Sequence, residues 1–371
     1  MSAATGQPVL EAAAQRARDE GEDALQVCAF QHGALLAEGS WGGDPEGRED
    51  RLFPIFSVTK AVTAVAVHLQ AERGLLAYDD PVARHWPEFA RHGKDDILIA
   101  HVLAHRAGIP TAPQGLVPER LADWEWIVAG IEDLEPEFPA GTVNAYHSLN
   151  FGWILGEVVR RTDGRRRSFG EFVRQELCEP LDATELYLGV PDDALDRVAP
   201  LHDDGGLPPT IEGSAESRAL PAPVALRPEI FNHREVLQAC IPAVGGVSDA
   251  RSVARLFAML ANGGELDGVR LLSPERIRAC LTPRPDGETD DLVFGRVLPV
   301  GVGGLWVRAP GVVEPGREVL AHPGAGGSVG WADLGSGVGA AICHNRMFGG
   351  RAEHPFAGLG RALAELASSE T

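Results

Sequence analysis

At 371 residues, 44% hydrophobic and 23% charged, the chain is long enough for a large core, and its composition excludes a fibre or a disordered polypeptide. A formal net charge of −20 would be repelled by nucleic-acid phosphates and by anionic membrane surfaces, so neither is an expected partner. Met1 to Arg18 lacks the apolar run of a secretory leader, no later run is long enough to span a bilayer, and the five cysteines (Cys28, Cys178, Cys240, Cys280, Cys343) lack metal-ligand spacing, so a cytoplasmic protein with reduced thiols is expected.

In chain order, residues 8–20 read as a short helix, followed by a hairpin of Ala24 to Phe30 and Ala34 to Glu38 that turns at Gln31-His32-Gly33. Ser40 to Asp50 is a loop rich in glycine and acid. The apolar run after Phe56 predicts a helix that ends at Arg73-Gly74, where the glycine is a natural cap. Asp79-Asp80-Pro81-Val82 opens a short helix, and Ile97 to His105 another, which leads into a loop from Arg106 to Pro110. Leu121 to Leu134 is amphipathic, Glu135 to Ala145 is loop, and Trp153 to Arg161 and Phe169 to Leu177 are helical. Residues 200–235, rich in Pro, Gly and acid, predict an irregular lid or cleft wall. Asp249 caps a helix from Ala250 to Asn262. Strands are expected at Leu305 to Arg308, Val319 to His322, Val329 to Leu334 and Val338 to His344, then a last helix from Phe356 to Ser368. This order predicts an α+β protein: one antiparallel sheet from both chain ends, flanked by helices, with a mostly helical inserted lobe.

Ser57 and Lys60, in Phe53-Pro54-Ile55-Phe56-Ser57-Val58-Thr59-Lys60, lie three apart at a helix start, on one face and close enough to share a proton. Lys60 and Lys94 are the only lysines among 33 lysines and arginines. Arginine keeps its proton, whereas a buried lysine can become a neutral base that activates a neighbouring serine. Ala61, Val62, Ala64, Val65, Ala66 and Leu69 make this helix too apolar for the surface, which puts Lys60 in the interior. By spacing alone, the pair also fits a capped amphipathic helix with a solvated lysine. Tyr146, one of three tyrosines, opens a loop-to-helix corner and could shuttle a proton, although a packing aromatic fits the same place. In Ala321-His322-Pro323-Gly324-Ala325-Gly326-Gly327-Ser328, the proline implies a sheet edge that leaves the Ala325 N–H open to an oxyanion. Gly324, Gly326 and Gly327 would let a ligand approach the backbone; a glycine-rich hairpin connection is the other reading.

In their order and intervals, these elements resemble the serine β-lactamase and penicillin-binding-protein superfamily over nearly the whole chain, specifically the class C β-lactamase-like branch that includes family VIII carboxylesterases. Ser57-Val58-Thr59-Lys60 resembles the nucleophile motif, and Leu103-Ala104-His105-Arg106-Ala107-Gly108 the branch's leucine-histidine-glycine helix end. Tyr146-His147-Ser148 sits where the family has Tyr-x-Asn, and His322-Pro323-Gly324 where it has Lys-Thr-Gly. The resemblance implies a β-lactamase/transpeptidase-like fold in one catalytic domain over 1–371. Residues 1–75 and 240–371 would form its α/β lobe, and 76–239 the helical lobe and cleft wall. It implies Ser57 as the acylated nucleophile, Lys60 as the amine that helps deprotonate it, and Tyr146 as general base and acid. The N–H groups of Ser57 and Ala325 would form the oxyanion hole, with Ser148, His322, Gly324 and Ala325 lining the substrate site. No metal and no cofactor is implied.

Two departures bear on the substrate. Ser148 replaces an amide that helps hold an acylamino side chain, and His322 replaces a lysine that helps fix the carboxylate of β-lactams. An imidazole, shorter and largely neutral near pH 7, weakens recognition of an anion. The expected activity is therefore a carboxylesterase acting on small esters, rather than a protective β-lactamase or a cell-wall peptidase. The alternative is an acyltransferase that passes the same acyl group to an amine or alcohol, with a small ester or amide as partner in either case. A silent ligand-binding relative is a third reading, opposed by the retention of Ser57, Lys60 and Tyr146. Gly326-Gly327-Ser328-Val329-Gly330 fits the G-x-S-x-G nucleophile elbow, but strand-like residues follow where that motif needs a helix, so Ser328 is not the expected nucleophile.

Overall fold

The computed structural model describes residues 3–42, 50–203, 210–347 and 356–369. Strand β1 (Leu25–Gln31) is buried along its whole length, as its near-continuous apolar run requires. It turns at His32 and Gly33 into β2 (Ala34–Trp41). Both turn residues have positive φ, 49° and 83°, the backbone that suits a two-residue hairpin to twisted strands. Strands β3 (Phe53–Phe56), β4 (Tyr187–Leu188) and β5 (Gly246–Ser248) form a separate antiparallel ribbon in the order β3-β5-β4. Strands β6 (Val319–Pro323), β7 (Val329–Asp333) and β8 (Val338–His344) return to the first hairpin. Together they make a five-stranded antiparallel sheet ordered β6-β7-β8-β1-β2, built from both chain ends. Pro323 lies on the edge strand, where its missing N–H is not needed.

Helices α1 (Ala3–Asp19), α2 (Thr59–Glu72), α3 (Ile99–Leu103), α4 (Trp124–Glu132), α5 (Asn150–Thr162), α6 (Ala250–Ala261) and α7 (Ala357–Ser369) carry most of the remaining core. Leu10 and Ala14 of α1 join Leu359 and Leu363 of α7 over Leu25, Val27 and Ile342 on one face of the sheet. On the other face Val253 and Phe257 of α6 share a core with Cys28, Phe30 and Ala341. Helix α2 is buried from Thr59 through Gln70 and packs against α5, so the first turn that holds Lys60 is interior. Among the described residues, no helix is long and apolar enough to cross a membrane.

Three segments differ from the sequence expectation. Leu305 to Arg308 is not a strand: Trp306 alone exchanges both backbone hydrogen bonds with Ala321, at 2.8 Å each. Its neighbours are used elsewhere, since Leu305 O accepts from Gly301 and the Val307 N–H donates to Pro299 O. The helix at Phe169 runs regularly only to Val173 and continues as a wider turn over Arg174–Cys178. The described part of 200–235 contains three short helical turns, Ala215–Ala219, Ala222–Val224 and Pro228–Phe231, and the start of a fourth, Arg234–Leu237. Residues 204–209 of that segment, and 43–49 of the loop expected from Ser40 to Asp50, lie outside the described residues.

Candidate active site

Ser57 sits in a turn between β3 and α2. Its carbonyl accepts from the Lys60 N–H at 3.0 Å, but its side chain does not cap the helix, which begins at Thr59. The residue before it, Phe56, has φ of 44°, a left-handed backbone that costs a β-carbon-bearing residue energy and turns Ser57 out of the strand. Thr59 holds this turn, donating from its hydroxyl to Phe56 O and accepting from the Gly246 N–H of β5 at 2.9 Å. Phe56 is also braced edge-on by Phe231, with ring centroids 5.2 Å apart, so the irregular segment reaches the serine turn. Ser57 itself stays half-buried and reachable.

Lys60 is fully buried. Its Nζ donates to Ser57 Oγ at 3.1 Å and to Ala243 O at 3.0 Å, and lies 4.8 Å from the centre of the Tyr146 ring. Thr63, one turn on, donates to Pro242 O at 2.6 Å and so fixes the carbonyl segment that Lys60 uses. Among the described residues no carboxylate pairs with Lys60, and burial pushes its pKa well below the ordinary 10.5.

Tyr146 is buried; burial, with Asp291 nearby, pushes its pKa up against the opposing effect of the Ser57 side chain. The structure thus brings Ser57, Lys60 and Tyr146 together, and both pKa directions favour neutral groups: an amine and a phenol. The backbone at Tyr146 is held by Asp291, whose Oδ1 accepts from the Tyr146 N–H at 3.0 Å. The second oxygen of Asp291 accepts from Arg284 at 3.1 Å, and both side chains of this pair are wholly buried. Asn144, just ahead, donates to Asp286 O at 2.7 Å and accepts from Arg106 at 2.6 Å. Sequence reading missed Arg284 and Asp291, whose charges in a segment without periodicity give no local sign of burial.

His322, on edge strand β6, is also fully buried. Its Nδ1 donates to Pro323 O at 2.9 Å, while burial, then the nearby Lys60 charge, lower its pKa to about 3. It is therefore neutral at pH 7. Gly324 approaches the backbone two residues ahead of Ser57 so closely that a β-carbon there would lie 2.4 Å from Ile55 O. The missing side chain thus serves the docking of the sheet edge on the serine turn, not only ligand access. Ala325, half-buried, begins a single tight turn through Gly327. Ser148 is buried two residues ahead of α5. Ser328 belongs to no elbow: its Oγ accepts from the His344 N–H at 3.3 Å, and strand β7 follows it. Among the described residues no group of three or more His, Cys, Asp or Glu side chains could hold a metal ion.

A family model described as Beta-lactamase matches residues 10–362. The chain is 34% identical to the Esterase/beta-lactamase LipL of Mycobacterium tuberculosis over 79% of its own length and 69% of that protein. It superposes on the crystal structure of a family VIII carboxylesterase with a TM-score of 0.88, at 29% identity and with 99% of each chain covered. A penicillin-binding protein homologue from Caulobacter crescentus gives a TM-score of 0.86 at 31% identity, again over 99% of both chains. The expected fold is thereby shown, and so is the serine-hydrolase class of the enzyme. The chain belongs to the Beta-lactamase family.

Proposed function

We propose that this protein is a carboxylesterase that cleaves small uncharged esters through an acyl-enzyme on Ser57. The observation that carries the reading is Lys60 Nζ, fully buried, with no carboxylate partner among the described residues and 3.1 Å from Ser57 Oγ. In this reading the Lys60 amine takes the Ser57 proton as Oγ bonds to the ester carbonyl carbon. The N–H groups of Ser57 and Ala325 hold the oxyanion, a contribution of about 3–4 kcal/mol for one such donor. Tyr146, kept protonated by burial, gives its proton to the departing alkoxide, and the Lys60 ammonium then restores the phenol. Water repeats the sequence on the acyl group: its proton goes to Lys60, the Ser57 oxygen leaves with the Tyr146 proton, and the free acid is released.

The neutral His322, with Ser148 and the edge at Gly324 and Ala325, supports an uncharged substrate over an anionic β-lactam. An ester substrate is also in keeping with the names of two similar proteins, LipL being called an esterase/beta-lactamase and the family VIII structure a carboxylesterase. Intact-mass detection of acylation across a panel of esters, amides and β-lactams tests the reading, with alcohol and amine acceptors added to the productive cases. The expected result is an ester-derived adduct, lost in Ser57→Ala together with roughly 10⁶-fold of activity, and hydrolysed product alone. Activity surviving in Ser57→Ala would sink the assignment, and acyl groups transferred to the acceptors would make the protein a transferase.

A further inference from the structure

Helix α3 ends in a way that its sequence should avoid. The Arg106 N–H bonds back to His101 O at 2.7 Å and the His105 N–H to Val102 O at 3.0 Å, which places His105 at the left-handed position of a Schellman turn. Its φ is 57°. Glycine usually fills that position, because a β-carbon there crowds the neighbouring carbonyl. The same turn at the end of α2 does use glycine: Leu75 bonds to Gln70 O, Gly74 to Ala71 O, and Gly74 has φ of 68°. A strained histidine, wholly buried, is kept where glycine would do.

What the histidine touches supplies the reason. Its carbonyl accepts from the Ala145 N–H at 3.0 Å, and its Nδ1 accepts from the His147 N–H at 3.0 Å. The three consecutive N–H groups of 145, 146 and 147 are thus taken by His105 O, Asp291 Oδ1 and His105 Nδ1. Accepting through Nδ1 fixes the ring as the tautomer protonated on Nε2. The ring lies flat between Tyr146 and Phe151, with centroids 4.3 and 4.7 Å away and 25° between planes in both cases. With this left-handed backbone, carbonyl, Nδ1 and ring all reach the segment 145–147, and glycine would supply the carbonyl alone.

We propose that His105 is a positioning residue for Tyr146, bracketing its backbone on both sides and supporting the face of its ring so that the phenol meets the leaving oxygen. This rests on the reading of Tyr146 as the proton donor. A donor matters most when the leaving group is a poor one, so two esters of one acid separate positioning from general damage. Measured as kcat/KM, His105→Ala is expected to lose about a hundredfold on an ethyl ester but only about threefold on the p-nitrophenyl ester. His105→Asn tolerates positive φ and keeps an acceptor near Nδ1, and is expected to lose about tenfold on the ethyl ester alone. It carries the test if His105→Ala fails to fold. In a Tyr146→Phe background neither change should cost more than about twofold further. Equal losses on both esters, or losses that add to those of Tyr146→Phe, would overturn the role of His105 and leave that of Tyr146 standing. Full ethyl-ester activity in Tyr146→Phe would overturn the reading of the site, and His105's role with it.

Discussion

The chain's two lysines are both buried and both have lowered pKa values, yet they are held in opposite ways. Lys94 donates to Glu132 O at 2.8 Å and to Leu134 O, at the end of α4 where the helix dipole favours a cation. Asp133, Glu132 and Glu135 pull its pKa back up against burial, which leaves it at about 8. Lys60 stands in the first turn of α2, where the dipole disfavours a cation, and has a serine hydroxyl and one carbonyl as partners. Among the described residues no charge pulls its pKa back up against burial. Rarity in the sequence therefore marks both residues, and only their partners separate a lysine that holds its proton from one that can release it.

The strongest way to break that contrast is Lys60→Arg. Guanidinium keeps the charge but cannot give up its proton, so kcat/KM on a small ester is expected to fall about 10²–10⁴-fold while the fold is retained. The wild-type pH profile carries the same information. Lys60 must be neutral to accept the Ser57 proton, so kcat/KM falls as pH drops through its folded-state pKa, and this acid limb lies well below 10.5. A limb near 10.5, or a Lys60→Arg enzyme of wild-type activity, would place the base elsewhere.

A somewhat smaller effect is expected from the support behind Tyr146. Arg284→Met leaves Asp291 as a buried charge without a partner, which costs about 3–5 kcal/mol in denaturant unfolding. An unchanged unfolding free energy would mean that the pair is not buried as described. This support also marks where sequence reading stopped. Ser57 and Lys60 were legible because they share one helical turn, and Pro323 because a proline in a strand has few places to go. Arg284 and Asp291 meet the tyrosine from a segment about 140 residues away in sequence, and isolated charges in such a segment read as solvated. His105 was seen as part of a helix-end motif, but its left-handed backbone and the ring stack depend on a loop 40 residues downstream. Trp306 sits in a run that alternates like a strand, and its failure to form one is set by the backbone bonds of its neighbours to 299–301.

The mildest change sharpens the contrast from the other side. At pH 7 Lys94, with a pKa of about 8, carries its charge, and its ammonium serves two carbonyls at the end of α4. Lys94→Met fills the same space but leaves those carbonyls without a donor, which costs about 1–3 kcal/mol in urea unfolding. Ester hydrolysis should stay at the wild-type level, because among the described residues no hydrogen bond or ion pair joins this helix end to the Ser57 site. Between about 8 and 10.5 the unfolded chain still binds a proton that folded Lys94 has released, so the contribution of Lys94 to stability rises with pH across that window. Lys94→Met should lose this contribution, so the gap in unfolding free energy between wild type and variant is expected to widen as pH rises across the window. If it lost the activity instead, scarcity alone would have been the better guide, and the partners of each lysine would not explain what it does.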